Sequence, residues 1–286
     1  MMRGVSTWAV AVRHKGGDIA VESHPVVSWV TRSPVLRWPV IRGVVALAQS
    51  MTIGVKALQV SADAQESEPI PKRTWAFAIV AGLTLAIGLF FALPVLLTSL
   101  VRGWLGSAWL FWLVEGVVRN AIFLAYLAAL SRQSHLRRLF QYHGAEHKTI
   151  AAYEAGLPLT VEHTQRFSRL HPRCGTSFLL VVMIVAIFVF APVGLPAWWI
   201  LLLTRIVGVP LVAGISFELI KFAGRNRGKG WVQVIIWPGM QLQKLTTREP
   251  EDEQVLVAIA ALEAVLVVED PRTASDEARV GVEVAA

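Results

Sequence analysis

Two almost unbroken apolar runs, Trp75 to Leu97 and Ala108 to Leu130, and a longer stretch from Phe178 to Ile220 dominate the hydrophobic pattern of this chain. A helix rises about 1.5 Å per residue, so about 20 apolar residues match a bilayer core about 30 Å thick, where no water satisfies loose backbone groups. The longer stretch exceeds one crossing. Pro192-Val193-Gly194-Leu195-Pro196 interrupts it with two prolines and a glycine, which break a helix and suit a tight turn. The pattern predicts four spans: 75–97, 108–130, a short third from Ser177 to Ala191, and a fourth from Ala197 to Leu219.

Outside the spans the periodicity changes. Ser6 to Val12 and Asp18 to Ser23 flank Arg13-His14-Lys15-Gly16-Gly17 and read as a β-hairpin, which is marginal alone and is expected to dock on another element. Trp38 to Val60 has helical periodicity with small residues, Arg42 and Lys56, the pattern of a helix lying in the membrane interface; packing on a cytoplasmic domain is the alternative. Ser61 to Lys72, with Asp63, Glu66, Glu68, Pro69 and Pro71, is a polar linker. Past the fourth span, Trp231, Trp237, Lys229 and Lys244 mark an interfacial segment. Thr247 precedes Glu249-Pro250-Glu251-Asp252, an acidic helix start with proline in its first turn, and that helix is expected to run to about Val268.

These elements give a mainly α polytopic membrane protein with about four transmembrane helices, a small N-terminal β-hairpin and a cytoplasmic helical loop region. Its segments are a cytoplasmic hairpin and interfacial helix (1–74), spans 1 and 2 (75–130), a His/Glu-rich cytoplasmic loop (131–176), spans 3 and 4 (177–220), an interfacial segment and helix (221–268) and a disordered tail (269–286).

Composition supports the membrane reading: 55% of the 286 residues are hydrophobic and 16% charged, too apolar for an ordinary soluble domain. Lys and Arg alternate with the spans. Residues 1–74 hold nine and the turn after the first span only Arg102; the 131–176 loop holds seven and the turn at 192–196 none. Because basic residues gather on the cytoplasmic side, both termini and the long loop are expected in the cytoplasm, with the spans in the cell membrane. The net charge of +7 then reflects attraction to anionic lipids and implies no nucleic-acid partner. Cys174 is the sole cysteine, which excludes an internal disulfide, and no cleavable signal peptide opens the chain.

Five of the seven histidines lie in the loop: His135, His143, His147, His163 and His171. On a helix, His143 and His147 stand one turn apart on one face, about 6 Å along the axis, and two imidazoles so placed can converge on one metal ion. With Glu146 they form the H-x-x-E-H order of inverted zinc hydrolases, in which the histidines hold the ion and the glutamate handles a water's proton. A helix-starting His pair bound to carbonyls or headgroups is the plainer alternative, and Gly144 weakens the helix. Glu154, about 10 Å further along the axis, is poorly placed to share the ion; it suits support of the ligands or substrate positioning, and a plain surface carboxylate is the simpler alternative. Pro172 forces His171 toward extended geometry, so His171-Pro172-Arg173-Cys174 can present an imidazole and a thiolate together; a membrane-entry turn with a buried thiol is the equal alternative. Glu218, near the cytoplasmic end of the fourth span, is a further candidate ligand. Glu115 and Arg119 form an i,i+4 pair inside the second span, and Arg205 lies within the fourth.

At these residues the chain resembles the YqhQ-type family, bacterial membrane proteins of unknown function described as predicted metal-dependent enzymes. The resemblance runs through Pro39-Val40-Ile41-Arg42-Gly43-Val44-Val45-Ala46-Leu47, His143-Gly144-Ala145-Glu146-His147-Lys148-Thr149 with Tyr153-Glu154, and His171-Pro172-Arg173-Cys174-Gly175-Thr176-Ser177-Phe178. It continues through Pro210-Leu211-Val212-Ala213-Gly214-Ile215-Ser216-Phe217-Glu218 and Gln243-Lys244-Leu245-Thr246-Thr247-Arg248-Glu249-Pro250. It implies a membrane location and a metal but supplies no reaction. Members usually carry a Gly-Gly-x-Ala-x-x-Glu-Gly-Val segment ahead of the Met-Met-Arg with which this sequence starts; either the start is misassigned or the segment is missing, and only in the second case would a site glutamate in it be lost.

The expectation is a metal-dependent membrane enzyme, hydrolytic in type, with a divalent cation, zinc first. His143, His147, His171, Cys174 and Glu218 are candidate ligands, and Glu146 and Glu154 candidate catalytic carboxylates. Membrane lipids are the expected partners. The competing classes are a non-catalytic scaffold or regulatory subunit and a small transporter using the intramembrane charges.

Overall fold

The computed structural model describes residues 1–66, 70–172, 174–194, 198–226 and 229–270. Glu68 and Pro69 of the linker, Arg173, Leu195 and Pro196 of the expected break, Ala197 at the start of the fourth span, Arg227 and residues 271–286 of the expected tail lie outside the described residues.

The hairpin forms and gains a third strand. Strands β1 (Met2–Arg3), β2 (Thr7–Arg13) and β3 (Ile19–Pro25) make an antiparallel sheet in that order, with Ala9 opposite Ser23. Its turn closes through His14 N–H to the Asp18 carbonyl (2.9 Å), with Gly17 at φ +95°, a left-handed conformation that glycine adopts without strain. Two-residue alternation sends the side chains of β2 to opposite faces. Trp8, Val10 and Val12 pack on Ile53 and Ala57 of α1 (Ile41–Asp63), while Ala9 joins Met2 in a core with the C-terminal helix. The hairpin is thus stabilised by burial on both sides.

Helix α2 (Lys72–Ile87) passes through a wide π turn (Gly88–Ala92) into α3 (Leu93–Ser99). Pro94 has no N–H for the carbonyl of Phe90 one turn earlier, and the wide turn sits where that bond is missing. After the short α4 (Arg102–Leu105), Ser107 caps α5 (Ala108–Arg132) by accepting from Leu110 N–H. Only Gln133 separates α5 from α6 (Ser134–Glu154), which is followed by α7 (Val161–Gln165), α8 (Gly175–Phe190) and α9 (Trp198–Arg225). The expected interfacial segment is a full helix, α10 (Gly230–Thr246), packed on α8 and α5. The last helix, α11 (Asp252–Leu266), begins two residues past Pro250, which the sequence predicts in its first turn. Glu251 is its N-cap, in a reciprocal capping box with Gln254, so Pro250 stands outside the helix.

Among the described residues, five helical segments are long and apolar enough to cross a membrane: Ile41–Asp63, Lys72–Ser99, Ala108–Arg132, Gly175–Val193 and Leu203–Ala223. The first, α1, is one more than the four expected. Its N-terminal half packs on α9, where Ala46, Phe178 and Phe217 form one cluster, and its C-terminal half lies under β2. Helices α8 and α9 bury Val185, Ala186, Phe190 and Val212 between them. At the end of the bundle where α5 ends and α8 begins, Ala145 of α6 joins Val255, Ala258, Ile259, Leu262 and Val265 of α11 in the core beneath the sheet. The loop, the N-terminal sheet and the C-terminal helix are therefore one packed unit.

Candidate metal centre

Helix α6 holds His143 and His147 on one face, with ring centroids 4.4 Å apart. Gly144 between them does not break the helix, because it allows a close approach: a Cβ there would collide with the backbone carbonyl of Arg248. That approach places the 246–248 strand of chain against α6, and Arg248 N–H donates to the Phe140 carbonyl at 2.8 Å. From this segment the Thr246 carbonyl accepts from His143 Nδ1 (2.8 Å), and from the other side the Arg169 carbonyl accepts from His147 Nδ1 (2.6 Å). A carbonyl can only accept, so both Nδ1 atoms carry a proton and Nε2 is the nitrogen of each ring left to face a ligand.

Cys174 caps the N-terminus of α8, with Sγ 3.3 Å from His143 Nε2. The ligand atoms of His143, His147 and Cys174 all lie within 4.8 Å of one another. His147 is fully buried, and its Nε2 has no hydrogen-bond partner of acceptable geometry. An orphaned buried nitrogen costs about 1–3 kcal/mol unless something else satisfies it. Donor atoms around a tetrahedral zinc ion stand about 3.5 Å apart, so two imidazoles and a thiol at these separations fit such an ion without rearrangement of the fold.

The metal-free electrostatics are those of an ion pair. Burial alone would push the Cys174 thiol up, but the hydrogen bond from His143 and the charge of the neighbouring imidazoles pull it down to about 5. Burial would likewise lower His143, yet the Cys174 hydrogen bond and charge, with Glu146 and the Thr246 carbonyl, hold it up at about 9. A thiolate beside two imidazoles at a helix N-terminus is a strong ligand for a borderline-soft cation.

His171 stands next in line, its ring centroid 5.8 Å from that of His147 and its Nε2 3.4 Å from Glu154 Oε2. It is 3% exposed and held through its backbone: Gln243 Oε1 accepts from His171 N–H and Gln243 Nε2 donates to its carbonyl, both at 2.8 Å. Arg169 Nη1 grips the Thr247 carbonyl and hydroxyl, and Lys148 pairs with Glu249 at 2.8 Å. The 165–174 and 243–250 segments thus interlock around the rings.

The family profile described as "Protein of unknown function (DUF1385)" matches residues 38–268. The uncharacterized protein YqhQ of Bacillus subtilis (strain 168) is 33% identical over 282 residues, covering 93% of this chain and 89% of that protein. The chain belongs to the DUF1385 family. No solved structure matches it. The matched region contains the whole His143, His147 and Cys174 group, whereas the three-stranded sheet precedes it.

The other site residues expected from the DUF1385 chain's sequence fall in three places. Glu218 is given to Arg42 rather than to the imidazoles: Arg42 Nε and Nη2 bind its two oxygens at 2.7 and 2.5 Å, and Val40 N–H points at Oε1 from 3.4 Å. Glu146 is on the His143 side of α6 and pairs with the Met1 amino group at 2.5 Å. His171 and Glu154 pair with each other beside the three-residue group and outside it. Gln243, Arg169 and Thr246 are the residues that sequence reasoning misses. The one available signal is that Gln243 and Thr246 both fall in the Gln243 to Pro250 segment that carries the family resemblance.

Proposed function

We propose that the chain is a metal-dependent membrane enzyme, hydrolytic in type, whose ligands are His143, His147 and Cys174. The observation that carries the reading is the fully buried His147 Nε2, partnerless and facing a thiol and a second imidazole whose Nδ1 is likewise fixed by a carbonyl. The N₂S donor set suits zinc before harder cations, and three protein ligands are the number typical of catalytic sites. When bound, such an ion supplies Lewis acidity to a carbonyl or phosphoryl oxygen. The chain's own residues do the rest. The Thr246 and Arg169 carbonyls keep both imidazoles in the ligating tautomer. Glu146, one residue before His147 and partly open to solvent, accepts and returns a proton, and the Glu154–His171 pair holds a second proton nearby and orients the substrate.

The location proposed is the inner membrane, with four crossings by α2–α3, α5, α8 and α9. The sheet, α6, α11 and both ends of α1 then lie on one side, which the density of Lys and Arg makes the cytoplasm. A substrate with a lipid-linked, peptide or phosphoester group at the inner leaflet suits a site at the membrane entry of α8.

Elemental analysis of the purified full-length chain tests this. The native protein is expected to carry close to one zinc per chain, and His143→Ala with His147→Ala to carry almost none. Equal, sub-stoichiometric metal in both would overturn the reading. A second reading, thiol catalysis, is favoured by the 3.3 Å contact of Cys174 Sγ with His143 Nε2 and by Thr176 N–H pointing at the sulfur from 3.5 Å. It expects a metal-free protein whose Cys174 is alkylated stoichiometrically by iodoacetamide.

A further inference from the structure

The bundle holds a second polar group, far from the imidazoles. It lies where α8 ends, near Phe190, whereas Cys174 lies where α8 begins. Glu115 and Arg119, one turn apart on α5, are buried and ion-paired. Arg205 of α9 is within electrostatic reach of both and stacks its guanidinium over two rings, 4.7 Å from the centroid of Trp112 and 3.9 Å from that of Phe190. The charges do not balance, since two guanidiniums face one carboxylate.

Their donors are not all used either. Arg119 Nε and Arg205 Nη1 are buried without a hydrogen-bond partner. Ring faces attract a guanidinium as a whole but leave an in-plane N–H unsatisfied, and an uncompensated charge among apolar helices is costly. The component that would balance this group is one negative charge carrying an oxygen acceptor. Beside Arg205 the surface of the bundle is apolar, with Leu203, Ile206 and Val207 each more than half exposed and Phe188 69% exposed.

We propose that Arg205, with the Glu115–Arg119 pair, binds the phosphodiester group of one phospholipid, whose acyl chains lie along Leu203, Ile206 and Val207. A phosphodiester carries a single negative charge, which neutralises the group, and its non-bridging oxygens accept from guanidinium N–H groups. The exposed apolar side chains favour a lipid over a free anion, because they offer acyl chains a surface that inorganic phosphate cannot use.

The test is native mass spectrometry and thermal unfolding of the detergent-purified full chain with phosphatidylglycerol, diacylglycerol of the same acyl composition, or inorganic phosphate. One phosphatidylglycerol per chain is expected to be retained and to raise the unfolding temperature saturably, while diacylglycerol does neither. Arg205→Gln is expected to weaken retention by about tenfold or more with zinc content unchanged, and Arg205→Lys to restore part of it. Equal retention of diacylglycerol, or unaltered phosphatidylglycerol binding by Arg205→Gln, would overturn the proposal. Saturation by inorganic phosphate without any by phosphatidylglycerol would overturn it too. Should Arg205→Gln not fold, the two-lipid comparison on the native chain and the lysine variant decide.

Discussion

Gln243 shows how a single side chain can set the geometry of a site it does not enter. It is wholly buried and satisfies both the N–H and the carbonyl of His171 while touching Ser177 Oγ at 3.1 Å. Gln243→Met keeps the volume but orphans two buried backbone groups, each worth about 1–3 kcal/mol. The expected outcome is a loss of about 2 kcal/mol or more in denaturant unfolding, with His171 displaced. The Cys174–His143 pair sets a pH window instead. The thiol is depressed to about 5, so its contribution to stability is lost as pH falls through 5; the imidazole is raised to about 9, so its contribution is lost as pH rises through 9. Metal-free protein is therefore expected to be most stable between these limits and to absorb near 240 nm as a thiolate throughout them, whereas Cys174→Ser removes both the absorbance and the acid-side loss. His143 and His147 are legible in the sequence because a four-residue spacing fixes one helix face, and Cys174 because Pro172 precedes it. The carbonyls of Thr246 and Arg169 that fix the Nδ1 protons of the two rings are not, since every residue has a carbonyl and only the fold brings these two into reach.

At the scale of elements, two glycine and carboxylate positions separate local propensity from long-range contact. Gly144 reads locally as a defect in α6, and alanine there gains about 1 kcal/mol of helix propensity. The added Cβ, however, meets the Arg248 carbonyl, a backbone atom that cannot rotate away, and overpacking of this kind costs about 1–3 kcal/mol. Gly144→Ala is thus expected to lower the unfolding temperature and, by pushing the Thr246 carbonyl from His143, to reduce zinc content. Glu218 is the converse case. Its depth along α9 is readable from the sequence, but Arg42 on α1 competes for it and wins through two guanidinium bonds. Val40, beside it, takes φ +70°, unusual for a β-branched residue, and is held there at the junction of α1 with α9. Glu218→Gln is expected to cost about 1–3 kcal/mol by loosening α1 and to leave zinc content at the native level; loss of zinc would return Glu218 to the ligand set.

For the whole molecule the open question of architecture is whether α1 crosses the membrane, since length and hydropathy alone admit it as a fifth span. The contacts of α1 weigh against a fifth crossing. The start of α1 is tied to α9 through Arg42 and Glu218, and Ile53 and Ala57 in its second half are buried under the sheet that precedes it in the chain. A crossing α1 would have to place its second half about 30 Å from that sheet, which would expose Trp8, Val10 and Val12. Hydropathy cannot register this, because an apolar face covered by a sheet and one covered by lipid have the same composition. The consequence is a parity that can be measured. Lys15, in the hairpin turn, and Glu66, after α1, are both exposed; with four crossings they share a side, and with five they do not. Gly103, between α3 and α5, is exposed at the other end of the first span in either case. With Cys174 buried and counted as background, Lys15→Cys and Glu66→Cys are expected to react with an impermeant maleimide only in inside-out vesicles, and Gly103→Cys only in right-side-out ones. Opposite labelling of positions 15 and 66 would make α1 a span and would leave the sheet, α6 and the three metal-site residues without the common surface on which the proposed chemistry depends.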